Sequence, residues 1–280
     1  MAKTAKKKSA KTIGKRKKST KTAAKKKVTK VTKKKASKKK VAAAALSSGP
    51  RGNPGADSLS VVKQALVNGA ENFYGAMPRF WGRYFKGPGN TSPQQYHAAE
   101  GLVLRSNGIR LLPIGRQTTS VGGTEAKGRS DGEDNANAIL GEVASVSGDV
   151  LVFLDVEQSH PLSRTYYRGW VDGIQGVGAS NLVNFIPCVY GSFSANPTWT
   201  ALAAEFANGV PCGGVWIARY MVANGCTSMP AWSDTRTRPP ALPAGVPVLA
   251  WQYAQNCHSI DLNQCNPNHE ADFLAGLIAP

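Results

Sequence analysis

The chain has 280 residues and a formal net charge of +18, yet 20 of its 35 lysines and arginines fall in residues 1–40, where there is no Asp or Glu. The remaining 15 basic residues face 17 acidic ones, so a pI near 9.9 describes the first forty residues and says little about the body. No run approaches the ~20 apolar residues of a membrane span, and five cysteines are too few for a disulfide scaffold.

The basic segment, residues 1–46, carries lysine triplets such as Lys6-Lys7-Lys8 and Lys38-Lys39-Lys40. They are spaced by Ala, Thr, Ser and Val, with Ile13, Val28 and Val31 as the sizeable aliphatics of the first forty residues. Such a segment cannot bury enough surface to offset its ordering entropy, so a disordered tail is expected. Its chemistry is polyanion binding by counterion release, sequence-blind and strongly salt-dependent. DNA, lipopolysaccharide or teichoic acid are the candidate partners of residues 1–40; a solubilising tail is the plainer alternative. The basic start suits a secretion signal, but Val41 to Leu46 is shorter than the ~7–15 apolar residues such a signal needs. A cytoplasmic chain is expected, or one released without a conventional signal to act at the cell envelope.

Residues 47–56 are rich in Gly, Pro and Ser and read as a linker. Over residues 57–280, apolar strand-like runs alternate with helical patterns, which argues for βα units and a parallel sheet. The first strand is read at Asp57 to Val61, followed by a helical pattern through Val62, Leu66 and Phe73. The second strand is Phe80 to Phe85, and a helix from Pro93 to Ser106 leads to the third, Ile109 to Ile114. A Gly-rich loop, Ser120 to Asp131, precedes a helix reaching Val146. The fourth strand, Val150 to Leu154, is apolar throughout, as expected of a strand covered on both faces. Beyond it come a helix from Arg164 to Gly176, a strand Phe185 to Tyr190, a helix Thr198 to Ala207 and a strand Gly214 to Tyr220. A Pro-rich connection, Met229 to Pro247, leads to strands Val248 to Tyr253 and Ser259 to Asn263, and a helix from His269 to Ile278 closes the chain. Eight strands of this kind fit a (β/α)8 barrel of the TIM type, with functional groups at the C-terminal ends of its strands. An open doubly wound sheet is the alternative.

The fourth strand ends in Asp155 and Glu157, which alternation puts on one side, roughly 6.5–7 Å apart at Cα. Two carboxyls held close at the end of a buried strand cannot both ionise cheaply, so one tends to keep its proton, splitting the pair into an acid and a base. Asp57 stands at the first strand, and Asp261 and Asn263 end the eighth. In a closed barrel these face a common mouth, an arrangement suited to glycoside hydrolysis. Tyr190, Trp216, Tyr220, Trp251 and Tyr253 lie near the same strand ends and offer faces for sugars. The dull alternatives are a salt-bridged Asp-x-Glu pair, with Arg83 and Arg219 as partners, and aromatics that belong to the core. The cysteines lack Cys-x-x-Cys spacing, which speaks against zinc, and nothing calls for a cofactor. Cys257 with Cys265 and Cys212 with Cys226 flank short strands and are the open disulfide candidates.

Several segments together resemble a known family. They are Phe80-Trp-Gly-Arg-Tyr, Val150-Leu-Val-Phe-Leu-Asp-Val-Glu157, Val189-Tyr-Gly-Ser192, Val215-Trp-Ile-Ala-Arg-Tyr220, and Trp251-Gln-Tyr253 followed by Ile260-Asp-Leu-Asn263. In this order they resemble the family-25 glycoside hydrolases, the muramidase-type lysozymes, and more closely the related bacterial glycoside-hydrolase-like domains of unknown function. The resemblance spans about residues 55–278. It implies a barrel acting on peptidoglycan, with Glu157 as the acid, Asp155 beside it steadying the transition state or a substrate-assisted intermediate, and Asp261 a further carboxylate. Asp57, after Gly55-Ala56, is the match to the family's first-strand Asp. The resemblance also admits a non-catalytic protein that keeps the barrel to recognise glycan and uses the tail to hold DNA or envelope.

Overall fold

The computed structural model describes residues 49–222 and 224–280; the Lys-rich tail expected over residues 1–46 lies outside them. Eight strands close into one barrel in chain order. They are β1 Pro54–Asp57, β2 Phe80–Phe85, β3 Arg110–Gly115, β4 Gly148–Val156, β5 Val183–Ser192, β6 Gly214–Val222, β7 Val248–Cys257 and β8 Ile260–Cys265. The first five connections each carry a helix: α1 Gln64–Tyr74, α2 Ala98–Ser106, α3 Glu125–Glu142, α4 Arg164–Ser180 and α5 Asn196–Ala207. α6, Asp234–Thr237, is one turn within the Pro-rich connection, and α7, Glu270–Ala275, follows β8. The fold is the expected eight-stranded α/β barrel.

One strand departs from the (β/α)8 pattern. β1 to β7 run parallel, but β8 is antiparallel to both β7 and β1. Only His258 and Ser259 separate β7 from β8, whereas a parallel crossover needs about a dozen residues or more, so the chain turns straight back. Both residues take the positive φ that a tight two-residue hairpin demands, 52° and 71°. The reversal brings the start of β8, not its end, to the open mouth.

Alternation along the strands sorts the core into two. Phe80, Leu112, Ile114, Leu151, Phe153 and Trp216 point into the barrel. Phe273 of α7 closes the bottom, edge-on to Phe80 with ring centroids 5.1 Å apart. A larger core between barrel and helices holds Trp81, Trp170, Trp199 and Trp251. On β4 the inward series Leu151, Phe153 is continued by Asp155, so the site is the next layer above the apolar fill.

β1 starts at Pro54 and ends at Asp57, where the first strand was expected to begin. Gly55 and Ala56, read as linker, pair with Phe80 and Trp81 of β2. α3 likewise begins well before the expected Asp131, with the Thr124 side chain accepting from the Lys127 amide at 3.3 Å. The glycines that made this segment read as loop serve contact instead. Gly128 and Gly132 of α3 and Gly169 and Gly173 of α4 sit one turn apart on facing sides, and a methyl group at any of them would be driven into a carbonyl of the other helix. The two backbones touch there.

Arg83 and Arg219 do not pair with Asp155 or Glu157. Arg83 faces outward on β2 and is fully buried against Glu100 of α2, with Nε donating to Oε2 at 2.8 Å. Its guanidinium also donates to the carbonyls of Ser58 and Gln95. Arg219 lies over the Phe193 ring, 4.1 Å from its centroid, and donates to the carbonyls of Thr235 and Arg236. The disulfide joins Cys226 to Cys257, neither of the pairings suggested by strand-flanking positions, and leaves Cys188, Cys212 and Cys265 as buried thiols. Among the described residues no helix is long and apolar enough to cross a membrane.

Candidate active site

Asp57, Asp155, Glu157 and Asp261 line one cavity of about 460 Å³ at the barrel mouth. Each is delivered by its strand. Asp57 ends β1 and is the cross-strand partner of Asp261 near the start of β8. Asp155 is the last inward residue of β4, level with Tyr190 of β5. Glu157 stands one residue past β4 and is exposed. Room for Asp57 is made by Gly82 of β2, where a side chain would come within 2.8 Å of the Asp57 Cβ and 3.0 Å of Ile114.

Gln252 of β7 ties the site together. Its Nε2 donates to Asp57 Oδ2 at 3.2 Å and to Asp261 Oδ2 at 2.9 Å. Its Oε1 accepts from the Tyr190 hydroxyl at 2.6 Å and the Tyr220 hydroxyl at 3.3 Å. Asn263 Nδ2 donates to Asp57 Oδ2 at 2.8 Å, while its Oδ1 accepts from Trp216 Nε1 at 3.0 Å. Asp261 Oδ1 accepts from the Asn256 amide at 2.8 Å.

The expected site residues therefore fall into three groups. The four carboxylates, Tyr190 and Tyr220 line the cavity. Asn263 and Trp216 are buried beneath it and reach it through Asp57. Trp251 and Tyr253 are not at the mouth: they face the helices, fully buried, with Trp251 Nε1 donating to the Arg219 carbonyl at 2.8 Å. Gln252, Tyr84 and Arg116 also line the cavity, beyond the residues that the sequence points to. Period-two alternation carried the signal for Gln252, because it must face opposite to its two aromatic neighbours.

Burial dominates the electrostatics. Asp155 makes no side-chain hydrogen bond among the described residues. Its pKa is pushed up to about 7 by burial and by the charge of Glu157, with the Arg116 guanidinium opposing. Burial also raises Asp57 well above the usual carboxylate range, reinforced by the charges of Asp261 and Asp155 and offset in part by the amides of Asn263 and Gln252. Asp261 is raised by burial, against hydrogen bonds from Asn256 and Gln252. A carboxyl whose pKa is higher folded than unfolded makes the folded state bind more protons. Its contribution is fully present below the unfolded value and is lost as pH rises through the folded one. The melting temperature is therefore expected to fall between about pH 4 and about pH 7, and Asp155→Asn to flatten that slope. Thermal melts across the range measure it; an unchanged slope in the variant would mean that Asp155 ionises normally.

Among the described residues, one cluster of three metal-ligating groups occurs, Cys226, Cys257 and His258, and its two sulfurs are joined in the disulfide.

No protein-family model and no curated protein matches the chain. Among solved structures it is similar to an uncharacterized protein of B. stearothermophilus, with 20% identity and a TM-score of 0.61 over 81% of this chain and 100% of that one. It is also similar to the catalytic domain of endolysin ply40, from bacteriophage P40 of Listeria monocytogenes, with 16% identity and a TM-score of 0.51 over 80% and 98% of the two chains. Another is the Mycobacterium tuberculosis Tat-secreted protein Rv2525c, at 13% identity and a TM-score of 0.47 over 76% and 95%. The barrel implied by the sequence resemblance is the fold that the chain shares with the first two of these structures.

Proposed function

We propose that the barrel is a glycoside hydrolase acting on bacterial cell-wall glycan, cleaving peptidoglycan in the manner of a muramidase. Likeness of fold assigns no activity. The observation that carries the reading is the position of Glu157 between two adjoining cavities: the carboxylate-lined one, and a second of about 520 Å³ that shares Glu157, Tyr190 and Tyr220 with it. A strand of sugars laid along both would place a glycosidic oxygen at the boundary. Glu157 then protonates that oxygen as general acid. Asp155 stands beside it; with its pKa pushed up to about 7 by burial and by the charge of Glu157, it can pass its proton to Glu157, which readies the acid and leaves Asp155 ionised to stabilise the developing positive charge or a substrate-assisted intermediate. Asp57, held by the amides of Gln252 and Asn263, and Asp261 fix polar groups of the sugar, and Tyr190 and Tyr220 offer ring faces and hydroxyls. The test is release of reducing ends from purified sacculi by the wild type and by Glu157→Gln. Binding to sacculi without release by the wild type would favour the alternative, a non-catalytic recognition module.

Residues 1–40 are proposed to hold the protein on an anionic polymer, a role supported by their 20 basic and no acidic residues. Binding of the full chain to DNA or teichoic acid is expected to weaken steeply with salt, and to be lost when the chain is shortened to begin at Gly49. Salt-sensitive binding that survived the shortening would move the polyanion site to the body.

A further inference from the structure

A third cavity, about 490 Å³, adjoins the carboxylate-lined one and shares Arg116 with it. Its walls are residues 86–90, after β2, and 117–120, after β3, with the first turns of α3 behind them. These walls are tied together. Gln117 Nε2 donates to the Lys86 carbonyl at 3.3 Å, and Asn135 Nδ2 donates to the carbonyls of Phe85 and Lys86 at 2.8 and 3.1 Å. Arg116 is half-buried, its guanidinium 4.8 Å from the centroid of the Tyr84 ring. Among the described residues that guanidinium makes no hydrogen bond or ion pair, so its N–H donors are available to a ligand at the boundary of the two cavities that Arg116 lines. The hydroxyls of Thr118, Thr119 and Ser120, on the same wall, are also without partners among the described residues.

The charges around this cavity favour an anion. Lys127 is paired with Asp131, which also accepts the Tyr166 hydroxyl at 2.8 Å, so these two largely cancel. Arg116 and Lys86 then outnumber Asp134. The neighbouring cavity is acidic: it holds four carboxyl groups, of which burial shifts Asp57, Asp155 and Asp261 toward the protonated form while Glu157 stays exposed, and Arg116 is its one cationic side chain. An anionic substituent would be repelled there and accepted here, and a guanidinium is shaped to hold a planar or tetrahedral oxyanion with two parallel hydrogen bonds.

Resting on the glycan reading above, we propose that this cavity takes an oxyanion carried on the glycan strand, a carboxylate or a phosphate, gripped by Arg116. The charge contrast between the two cavities then fixes the direction in which the strand lies past Glu157. Arg116 is in this sense a specificity residue.

The test uses the full chain with Glu157→Gln, so that binding is read without turnover, and compares it with the same chain also carrying Arg116→Gln or Arg116→Lys. The probes are soluble glycan strands from sacculi, stripped of phosphodiester polymers, in two forms: untreated, and with carboxyls converted to methylamides. Unstripped strands form a phosphate arm. Salt of about 0.5 M, where the Debye length is roughly 4 Å, screens the exposed lysines of the tail far more than a half-buried pair. Arg116→Gln is expected to weaken binding of untreated strands about tenfold or more and of amidated strands less than twofold. Arg116→Lys should fall between, having the charge without the fork. If the dependence on Arg116 appears with unstripped strands alone, the oxyanion is a phosphate. Equal weakening by Arg116→Gln of untreated and amidated strands, or no effect on any strand, unstripped ones included, would overturn the inference and leave the glycan reading standing. A parent that bound none of the strands would remove both. Melting temperatures matching the parent show that the variants fold, and Arg116→Lys keeps the comparison open if Arg116→Gln does not.

Discussion

Glu157→Gln is expected to reduce release of reducing ends from purified sacculi by about 10²–10⁴-fold, the range for loss of a general acid. That is about 3–5 kcal/mol on the barrier. The amide keeps the shape of the side chain and a capacity for hydrogen bonding, but it has no acidic proton to transfer to a leaving oxygen. Glu157 is exposed and makes no side-chain hydrogen bond or ion pair among the described residues, so the fold should not register the change. A stability change within about ±0.5 kcal/mol is expected for such a surface position. Sedimentation with sacculi should likewise persist, because the substitution keeps the size of the side chain and leaves the other wall residues of both cavities unchanged. Release at the wild-type rate by the variant would end the assignment of Glu157 as the acid.

Arg83→Met is expected to cost about 3–5 kcal/mol of stability, read as a lower urea midpoint with an unchanged slope. The cost does not measure an attraction between Arg83 and Glu100. It comes from what the substitution leaves behind: a carboxylate with no exposed atom, still accepting the Val62 amide at 2.7 Å and the His97 amide at 2.9 Å, without its counter-charge. The carbonyls of Ser58 and Gln95 lose their donor as well. Ser58 follows Asp57 in the chain, and its hydroxyl accepts Trp81 Nε1 at 3.1 Å, so the buried pair also anchors the segment that carries a site carboxylate. A loss under about 1 kcal/mol would show that Arg83 is not needed to keep Glu100 and these carbonyls satisfied.

Much of the architecture was legible because apolar runs and strand ends are local properties. β2 matched its expected bounds, and the pattern of β4 put Asp155 and Glu157 at the mouth. Direction is not a local property: hydrophobic alternation reads the same both ways, and the sequence pattern of β8 is that of one more parallel strand. The clue lay in the five residues between the expected strands at Val248 to Tyr253 and Ser259 to Asn263, too few for a crossover. α3 began earlier than expected because glycine reads as a helix breaker in sequence, whereas here it lets two backbones touch. Among the site residues, aromatics drew attention to Trp251 and Tyr253, when the residue between them was the one facing the cleft. The Cys226–Cys257 link was not legible, since it depends on where the loop after β6 meets the turn before β8.

The reversed strand also limits how this barrel can diverge. In an all-parallel barrel each residue at the mouth sits before a loop whose length is free to change. Asp261 instead lies two residues beyond a hairpin whose span is set by its turn, with Cys257 on the near side bonded to another loop. One residue gained or lost there slips the register, and every side chain of the strand changes face, carrying Asp261 toward the helices and Leu262 into the cleft. Insertions and deletions that reshape the cleft among relatives should therefore cluster after β2, β3 and β6, and spare the turn before β8.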